Sequence, residues 1–401
     1  MLNVLIMIVV LAVGGVLLMP RLARAPLWQA TITPLASIIG SGFLVIGPIL
    51  HASFGYLSPL VMAALCAGAY LYGAAIRYNI AAIAISEAGA ESGRSAVEAG
   101  LEVIADWALA FAYVISVAYY LNLFGAFGLS LTNLDDPFHA RLLTSGVFLV
   151  ILGVGWAYGF KALERMEQVT VGIKLAIIAG LLFGLGWYFV GKLAVGTLVM
   201  VPAPVGGWAG VTLVFGLLVT VQGFETSRYL GDEYDARTRI HSMRIAQGLS
   251  AVIYMIYIGF LTYSFDSQAF DLSETAIIQL MGIVAPILSV LLVAAALSAQ
   301  FSAAVADAGG SGGLIGELTG HRVQPRMAYA GLVAAGLVLT WGSNVFDIIG
   351  YASRAFAVYY GLQAVIAART AWRRGARGYA AGFAALAVLG AVIAVFGTSV
   401  E

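Results

Sequence analysis

The chain has 401 residues, of which 61% are hydrophobic and only 10% are charged, whereas a soluble domain carries about 25% charged residues. This composition excludes an ordinary soluble protein, and the formal net charge of zero gives no sign of a nucleic-acid partner. The single cysteine, Cys66, excludes a disulfide framework. The four histidines lie far apart, and no spacing typical of zinc, haem or iron–sulfur ligands occurs, so we expect no cofactor and no metal site.

Apolar runs of about 20 residues recur along the whole chain, and each can cross a hydrocarbon core of about 30 Å as a helix. The sequence therefore predicts an all-α polytopic membrane protein with about twelve transmembrane helices. The first run, about 2–20, has no basic segment before it, so we interpret it as a retained helix rather than a signal peptide. The remaining spans, numbered 1 to 11, cover about 32–52, 56–83, 106–131, 142–160, 168–190, 208–231, 245–265, 281–307, 326–341, 345–367 and 379–397.

The positive charges predict the orientation of the chain. With the N-terminus outside, sixteen arginine and lysine residues fall on the cytoplasmic side, whereas only Arg141 and Lys192 fall outside. This asymmetry follows the positive-inside rule, and a single missed span would destroy it. We therefore expect an integral protein of a bacterial inner membrane. The two remaining cations, Lys174 and Arg354, fall inside membrane spans.

Two spans have interrupted backbones. Span 1 contains IIGSGFLVIGPIL, with its Gly-Ser-Gly run at 40–42, and span 6 contains Gly223 in mid-membrane. Small residues also permit close packing of membrane helices, which is the simpler interpretation of either break on its own. However, the breaks begin two successive groups of five spans, so the second group enters the membrane with inverted topology. Corresponding broken spans in two inverted halves indicate a transporter substrate site near the midplane.

The chemistry of an unwound helix indicates what such a site binds. Unwinding frees backbone N–H and C=O groups, which is tolerated in lipid only where a cavity or a ligand satisfies them. The amides at the start of a half-helix favour an anion such as a carboxylate. The freed carbonyls at the end of the other half-helix can hold an ammonium group. A zwitterionic amino acid fits both kinds of group.

These motifs resemble those of the amino acid–polyamine–organocation (APC) superfamily. IGSGF in span 1 is similar to its GSG signature, and VTVQGFETSRYLGDE in span 6, with Asp232, Glu233 and Arg237, is similar to its sixth span. The resemblance implies a LeuT-like 5+5 inverted-repeat core, with the leading helix as a departure from most members. The expected division has four parts: the extra N-terminal helix with its linker at 1–30, the first repeat at 31–190, the second repeat at 191–370 and the C-terminal helix at 371–401.

The resemblance also implies where a substrate binds. Amides of the first break would bind its carboxylate, carbonyls of the second break would bind its amine, and Phe224 would act as a gate. The expected substrate-binding residues are Gly40, Ser41, Gly42, Phe43, Val219, Thr220, Gln222, Gly223 and Phe224. We expect a secondary active transporter of amino acids or related small organic amines, coupled to protons or working by exchange. A sodium-coupled symporter of another small solute and a non-transporting receptor or channel are the alternatives.

Lys174 lies about two turns into span 5, where an ionisable group is functional unless it snorkels to the interface. In the resembling family, a lysine at this place fills the position that sodium occupies in sodium-coupled relatives. It would contact carbonyls of span 1 and face Ser298 and Ser302 of span 8. A sodium site built from either serine and the span 1 carbonyls is the competing hypothesis.

Two further charges in the membrane need partners. Glu225 follows the second break, and we interpret it as a proton carrier, as a gate residue, or as a carboxylate paired with a nearby cation. Arg354 stays charged at any ordinary pH, so it requires a permanent partner. Glu225, Asp347 and an anionic substrate group are its three candidate partners, and a structural pair is favoured.

Other polar residues suggest gates rather than catalysis. The acidic residues around the loop after span 2 are expected to form a solvated cytoplasmic face with gate pairs; they are Glu87, Glu91, Glu98, Glu102 and Asp106. Asp307, near the inner end of span 8, is expected to join that gate. Three tyrosines of span 3 either pack or line the cavity, namely Tyr113, Tyr119 and Tyr120. No histidine lies mid-span and no aspartate pair faces across the membrane, so an enzyme is not expected. Metal-ion relatives have Asp-Pro-Gly where this chain has Ile-Gly-Ser-Gly, which disfavours a metal substrate.

Overall fold

A computed structural model describes residues 1–40, 42–87, 95–157, 167–231, 233–266 and 270–400. In these parts the chain forms helices that occur where the apolar runs predict them. In chain order the helices are α1 (Leu2–Leu17), α2 (Pro20–Ala23), α3 (Pro26–Gly40), α4 (Phe43–Phe54), α5 (Ser58–Glu87), α6 (Ala96–Leu129), α7 (Pro137–Ala157), α8 (Glu167–Val195), α9 (Gly207–Gly216), α10 (Ala236–Ser264), α11 (Ala276–Val284), α12 (Pro286–Leu318), α13 (Pro325–Gly342), α14 (Val345–Arg373) and α15 (Arg377–Phe396).

Seven stretches of the described residues are long and apolar enough to cross a membrane, judged by length and composition. The longest, Phe43–Ser86, joins α4 to α5 through a single 3₁₀ turn at Gly55–Leu57. Helices α1 and α9 are also apolar but shorter, with 16 and 10 residues. Each of the twelve predicted spans overlaps at least one of these helices, and the order along the chain is the same.

The first predicted break is present between α3 and α4. Helix α3 ends at Gly40, and α4 begins after Gly42, whose carbonyl accepts the amides of Val45 and Ile46 at 3.1 and 2.9 Å. Ser41, which belongs to the same break, lies outside the described residues. Because the first amides of a helix have no intrahelical acceptor, α4 begins with donors directed into the break.

The second predicted break follows α9. The helix ends at Gly216, and the chain continues as two 3₁₀ turns, Leu218–Val221 and Phe224–Tyr229. Gly223 joins these turns with a φ of 113°, a conformation that side chains other than that of glycine rarely adopt. Span 6 is therefore helical only in its first half.

Span 8 differs from its predicted bounds. A separate helix, α11, precedes it, and α12 begins at Pro286 after the extended residue Ala285. Proline has no N–H group and fits the first turn of a helix, so the apolar run restarts there rather than continuing. Helix α12 then extends to Leu318 through a glycine-rich stretch that the sequence prediction placed outside the span.

The leading helix α1 packs along α8, which is span 5. Ile6 of α1 is fully buried in this contact. A Cβ atom on Gly180 would lie 2.5 Å from the Val10 side chain, and one on Gly184 would lie 3.0 Å from that of Ile6. Small residues four positions apart let membrane helices approach closely, so these two glycines form the surface of α8 against which α1 packs.

Helix α6 packs along α12 and α14 and also contacts α7 and α13. Helix α10 packs against α3 and α5, and α15 packs along α14. In the last pair, a Cβ atom on Gly390 would lie 2.8 Å from the Cα atom of Gly361, so these two backbones touch. The two breaks lie inside this bundle, where α3, α6, α10 and α14 surround them.

Candidate functional site

The two breaks lie against each other. A Cβ atom on Gly42 would lie 2.9 Å from the Cβ atom of Thr220, and one on Gly223 would lie 2.7 Å from the amide nitrogen of Ile38. Real Cβ atoms do not approach other atoms this closely, so glycine at both positions permits the contact. The structure thus brings together two segments that the sequence separates by five spans.

Tyr254 of α10 links the two breaks. Its hydroxyl lies 2.6 Å from the carbonyl oxygen of Thr220 and 3.0 Å from that of Ile38, so a single O–H group faces an acceptor from each break. The ring of Phe43 packs against it, with centroids 5.3 Å apart. The carbonyl of Thr220, predicted as a substrate ligand, therefore already has one donor, although a carbonyl oxygen can accept two.

Ser353 of α14 satisfies the backbone where α9 unwinds. Its hydroxyl donates to the carbonyl oxygen of Gly216 at 2.7 Å and accepts the amide of Val219 at 2.9 Å. Sequence reasoning missed both Ser353 and Tyr254. The only local signal was a polar group within an apolar span, and such groups also occur at positions unrelated to the breaks.

Lys174 of α8 points into the bundle. Its side chain is 5% exposed, and Nζ donates a hydrogen bond of 2.8 Å to the carbonyl oxygen of Ala36 in α3. A Cβ atom on Gly40 would lie 3.3 Å from the same Nζ. The ammonium group therefore lies beside the end of α3, where helix carbonyls lack intrahelical donors. This position contradicts the snorkelling interpretation.

The residues of α12 that face Gly40 are not the predicted serines, Ser298 and Ser302. Ala299 and Ala303 lie there, about 3.9 Å from where a Cβ atom on Gly40 would stand. Gln300 borders the same small cavity as Lys174, whereas Ser298 and Ser302 do not border it. Each residue turns a helix by about 100°, so an error of one position moves a side chain to another face. The two serines are half-buried elsewhere on α12.

Gln222 and Phe224 are held by aromatic residues of neighbouring helices. Gln222 Nε2 donates to the hydroxyl of Tyr120 in α6 at 2.5 Å. Phe224 is fully buried and stacks on Tyr360 of α14, with centroids 5.0 Å apart and planes inclined by 19°. Tyr120 of α6 and Tyr360 of α14 therefore hold these two side chains of the second break.

Glu225 is fully buried without a cationic partner among the described residues. Its Oε2 accepts the amide of Gly223 at 2.9 Å and the hydroxyl of Tyr360 at 2.8 Å. Its Oε1 has no hydrogen-bond partner within the described part of the chain. The carboxyl group thus holds the left-handed turn at Gly223 in place and keeps one oxygen available.

Arg354 does not occupy the central site, and this corrects the prediction of a pair with Glu225. It lies on an exposed face of α14, and Nε donates to the carbonyl oxygen of Ala394 in α15 at 2.7 Å. Asp347 is no partner either, because it forms a capping box with Asn344 at the start of α14. The neighbouring residue Ser353 faces the break, so Arg354 is turned about 100° away from it.

The tyrosines of span 3 lie inside the bundle. Tyr119 and Tyr120 are fully buried, and a Cβ atom on Gly42 would lie 2.8 Å from the hydroxyl of Tyr119. This hydroxyl has no hydrogen-bond partner among the described residues. Asp307 is also buried, and its carboxylate accepts a hydrogen bond from the hydroxyl of Ser116 in α6.

The acidic residues of α6 form ion pairs at one end of the bundle. Glu102 pairs with Arg228, which directly follows the second break, and Glu98 pairs with Arg373 of α14 at 2.6 Å. Arg239 donates to the carbonyl oxygen of Arg228 at 2.8 Å. We call this the arginine-rich end. Of the other acidic residues predicted here, Glu91 and the side chain of Glu87 lie outside the described residues.

Comparison with known proteins agrees with this architecture. A family model described as APC superfamily transporter matches residues 20–397. An uncharacterized protein of Aquifex aeolicus (strain VF5) is 41% identical over 392 residues, which cover 96% of this chain and 94% of that protein. Both matches extend over the two breaks and the helices between them.

Solved structures share the fold at low sequence identity. Mhp1, a nucleobase-cation-symport-1 family transporter in a closed conformation, has a TM-score of 0.59 at 14% identity, covering 92% of this chain and 89% of its own. A manganese transporter of Eremococcus coleocola has a TM-score of 0.56 at 14% sequence identity, and the match covers 94% of this chain and 86% of that transporter. A Na⁺-coupled sialic acid symporter in a substrate-bound outward-open state has a TM-score of 0.52 at 15% sequence identity, and the match covers 100% of this chain and 99% of that symporter.

These likenesses confirm the LeuT-like 5+5 inverted-repeat fold that the sequence predicted, with an additional helix at each end. They also agree with a secondary transporter as the general class of the protein. The chain belongs to the APC superfamily of transporters.

Proposed function

We propose that the chain transports amino acids or related small organic amines by alternating access, and that it is coupled to protons or works by exchange rather than with sodium. The observation that carries this proposal is the position of Lys174. Its Nζ bonds to the carbonyl oxygen of Ala36 and lies beside Gly40, at the end of α3. A protein-borne cation therefore already occupies the carbonyl end of the first break.

The two breaks support a zwitterionic or amine substrate. The start of α4 offers backbone amides to a carboxylate, and the unwound chain after α9 offers carbonyls to an amine. The available oxygen of Glu225 and the hydroxyl of Tyr119 add a carboxyl oxygen and a hydroxyl close to the breaks. In this proposal Gly40, Ser41, Gly42, Phe43, Val219, Thr220, Gln222, Gly223 and Phe224 form the substrate site.

The structural neighbours differ widely in their ligands: they are a nucleobase-cation-symport-1 family transporter with bromovinylhydantoin bound, a manganese transporter and a sialic acid symporter. Metal-ion relatives have Asp-Pro-Gly where this chain has Ile-Gly-Ser-Gly, so the sequence of the first break offers no carboxylate to manganese. We therefore do not propose a metal substrate. We also propose that the arginine-rich end faces the cytoplasm of a bacterial cell, which places the N-terminus outside.

Two measurements test the substrate class. Amino acids, amines and nucleobases are screened against the purified protein by thermal shift, because ligands of the folded state raise its apparent stability. Each compound that stabilises the protein is then tested for counterflow in proteoliposomes. Counterflow of an amino acid or amine is expected. Counterflow of nucleobases without any amine would replace the proposed substrate class, and binding without counterflow would indicate a receptor.

Coupling is tested in the same proteoliposomes. Uptake is expected to be unchanged when sodium is replaced by potassium on both sides, and to respond to a pH gradient or to internal substrate. A sodium gradient that drives accumulation would overturn the proposed role of Lys174. An unchanged pH dependence of uptake in the Glu225→Gln protein would remove Glu225 as the proton carrier.

A further inference from the structure

A groove of about 1080 Å³ lies on the outer surface of the bundle between α5, α10 and α15. Its walls are mostly apolar, but two arginines border it, Arg77 of α5 and Arg244 of α10. It lies towards the arginine-rich end, because Tyr78 at its rim has the guanidinium of Arg374 6.0 Å from its ring centroid. The groove is separate from the two breaks and plays no part in the proposed transport site.

Arg77 is buried, and no carboxylate of the described residues pairs with it. Its side chain is 5% exposed, Nη1 donates to Gln247 at 2.5 Å, and Nη2 donates to the carbonyl oxygen of Tyr70 at 3.2 Å. The guanidinium also lies 4.6 Å from the ring centroid of Tyr70. A guanidinium has five N–H donors, so roughly three remain without a protein acceptor in the described structure. A buried cation held only by neutral groups is unfavourable unless an anion joins it.

Arg244 makes the need for an anion greater. It is exposed, has no ion pair within the described part of the chain, and its positive charge repels that of Arg77. Two arginines of the arginine-rich end differ in this respect, since Arg228 and Arg373 each have a glutamate partner. Two unpaired guanidinium groups beside one groove fit a phosphate, which arginine binds with paired N–H donors.

The depth of the groove indicates where that phosphate comes from. Helix α5 has 30 residues, so it is about 45 Å long and exceeds a hydrocarbon core of about 30 Å. Measured from Ser58, a core of about 30 Å ends some 20 residues later, near Arg77. Tyr78 and Tyr379 stack at this level, with centroids 6.1 Å apart, as aromatic residues do at a membrane interface. The apolar walls continue from there towards the middle of the bundle.

We propose that this groove binds an anionic phospholipid of the leaflet at the arginine-rich end, with the phosphate between Arg77 and Arg244 and an acyl chain along α15. Basic pockets between membrane helices on this side of a bilayer are suited to acidic head groups. A phosphate supplies the acceptors that Arg77 lacks, and the acyl chain covers apolar walls. The site is a lipid site of the scaffold, independent of the identity of the transported substrate.

The test is native mass spectrometry of the full chain in detergent, titrated with phosphatidylglycerol or, separately, with phosphatidylcholine. The parent protein is expected to retain phosphatidylglycerol preferentially. Arg244→Gln is expected to weaken that binding about fivefold, the equivalent of about 1 kcal/mol for one arginine near a membrane surface. Arg237→Gln is the matched control, because it removes the same charge from an exposed position about two turns away on α10. Arg77→Gln serves as a second variant if it folds.

Each outcome decides the proposal. Equal retention by the Arg244→Gln and Arg237→Gln proteins, or equal retention of both lipids, would overturn it. Inorganic phosphate that blocks lipid retention and alone raises the melting temperature as much as the lipid would assign the site to a free anion. A lipid-free dimer in the same spectra, lost in Arg244→Gln, would assign the groove to a second copy of the chain.

Discussion

Replacement of Lys174 by methionine tests the central interaction of the proposed site. Lys174→Met retains most of the length and volume of the side chain but removes the ammonium group, leaving the buried carbonyl of Ala36 without this donor. A hydrogen bond to a charged group contributes about 2 kcal/mol to stability, so the free energy of unfolding is expected to fall by about that amount. Uptake is expected to fall with it, because the end of α3 loses the cation that fixes it.

The matched control is Lys192→Met at the other end of α8. Lys192 is partly exposed, and its Nζ lies 5.5 Å from the ring centroid of Tyr188, so its removal is expected to change stability by less than about 1 kcal/mol. Both proteins are compared with the parent by thermal unfolding in detergent and by uptake into proteoliposomes, with and without sodium. The reasoning fails if the two variants are equally stable and Lys174→Met transports at the parent rate without sodium.

Three further substitutions test the geometry around the breaks and at the arginine-rich end. Gly223→Ala is expected to lower the free energy of unfolding by about 1–3 kcal/mol, because of the φ of 113° and the contact with Ile38. The control Gly248→Ala changes a helical position with open space and is expected to raise the free energy of unfolding slightly. Equal melting temperatures of the two variants would contradict this prediction. Arg354→Leu is expected to leave uptake and substrate competition unchanged, since Arg354 faces away from the breaks; a changed competition profile would restore it to the site. Glu102→Gln removes the ion pair with Arg228 and is expected to make the buried position 227 more accessible. A cysteine placed at position 227 in a Cys66→Ser background should therefore react faster with maleimide. An unchanged labelling rate would argue that this ion pair is not part of a gate.

The sequence predicted the spans and both breaks because these features are local. An apolar run of about 20 residues has few alternatives to a membrane helix, and a glycine pair within it weakens the helix wherever the rest of the protein lies. The repetition of a broken span after five spans, together with the charge asymmetry, then indicated the inverted repeat. The family model and the structural neighbours confirm this level of the prediction.

The side-chain partners were predicted less well. Ser298, Ser302 and Arg354 lie in the spans where they were expected, but the helix faces that carry them differ from the prediction. In a soluble helix the polar face marks the side that faces water. In a membrane helix the lipid-facing side is as apolar as the packed interior, so hydropathy does not show which face is turned inward.

Only the tertiary structure decided which groups satisfy the unwound backbone. Tyr254 and Ser353 come from helices distant in sequence, and nothing near either residue distinguishes it from other polar residues in apolar spans. The same is true of the two unpaired arginines beside the groove, Arg77 and Arg244, which come from different helices. The sequence by itself determined that the backbone is weak at 40–42 and at Gly223. The packing of α8, α10 and α14 determined how those breaks are held, because hydrogen-bond partners across a bundle depend on the rotation of each helix as well as on its presence.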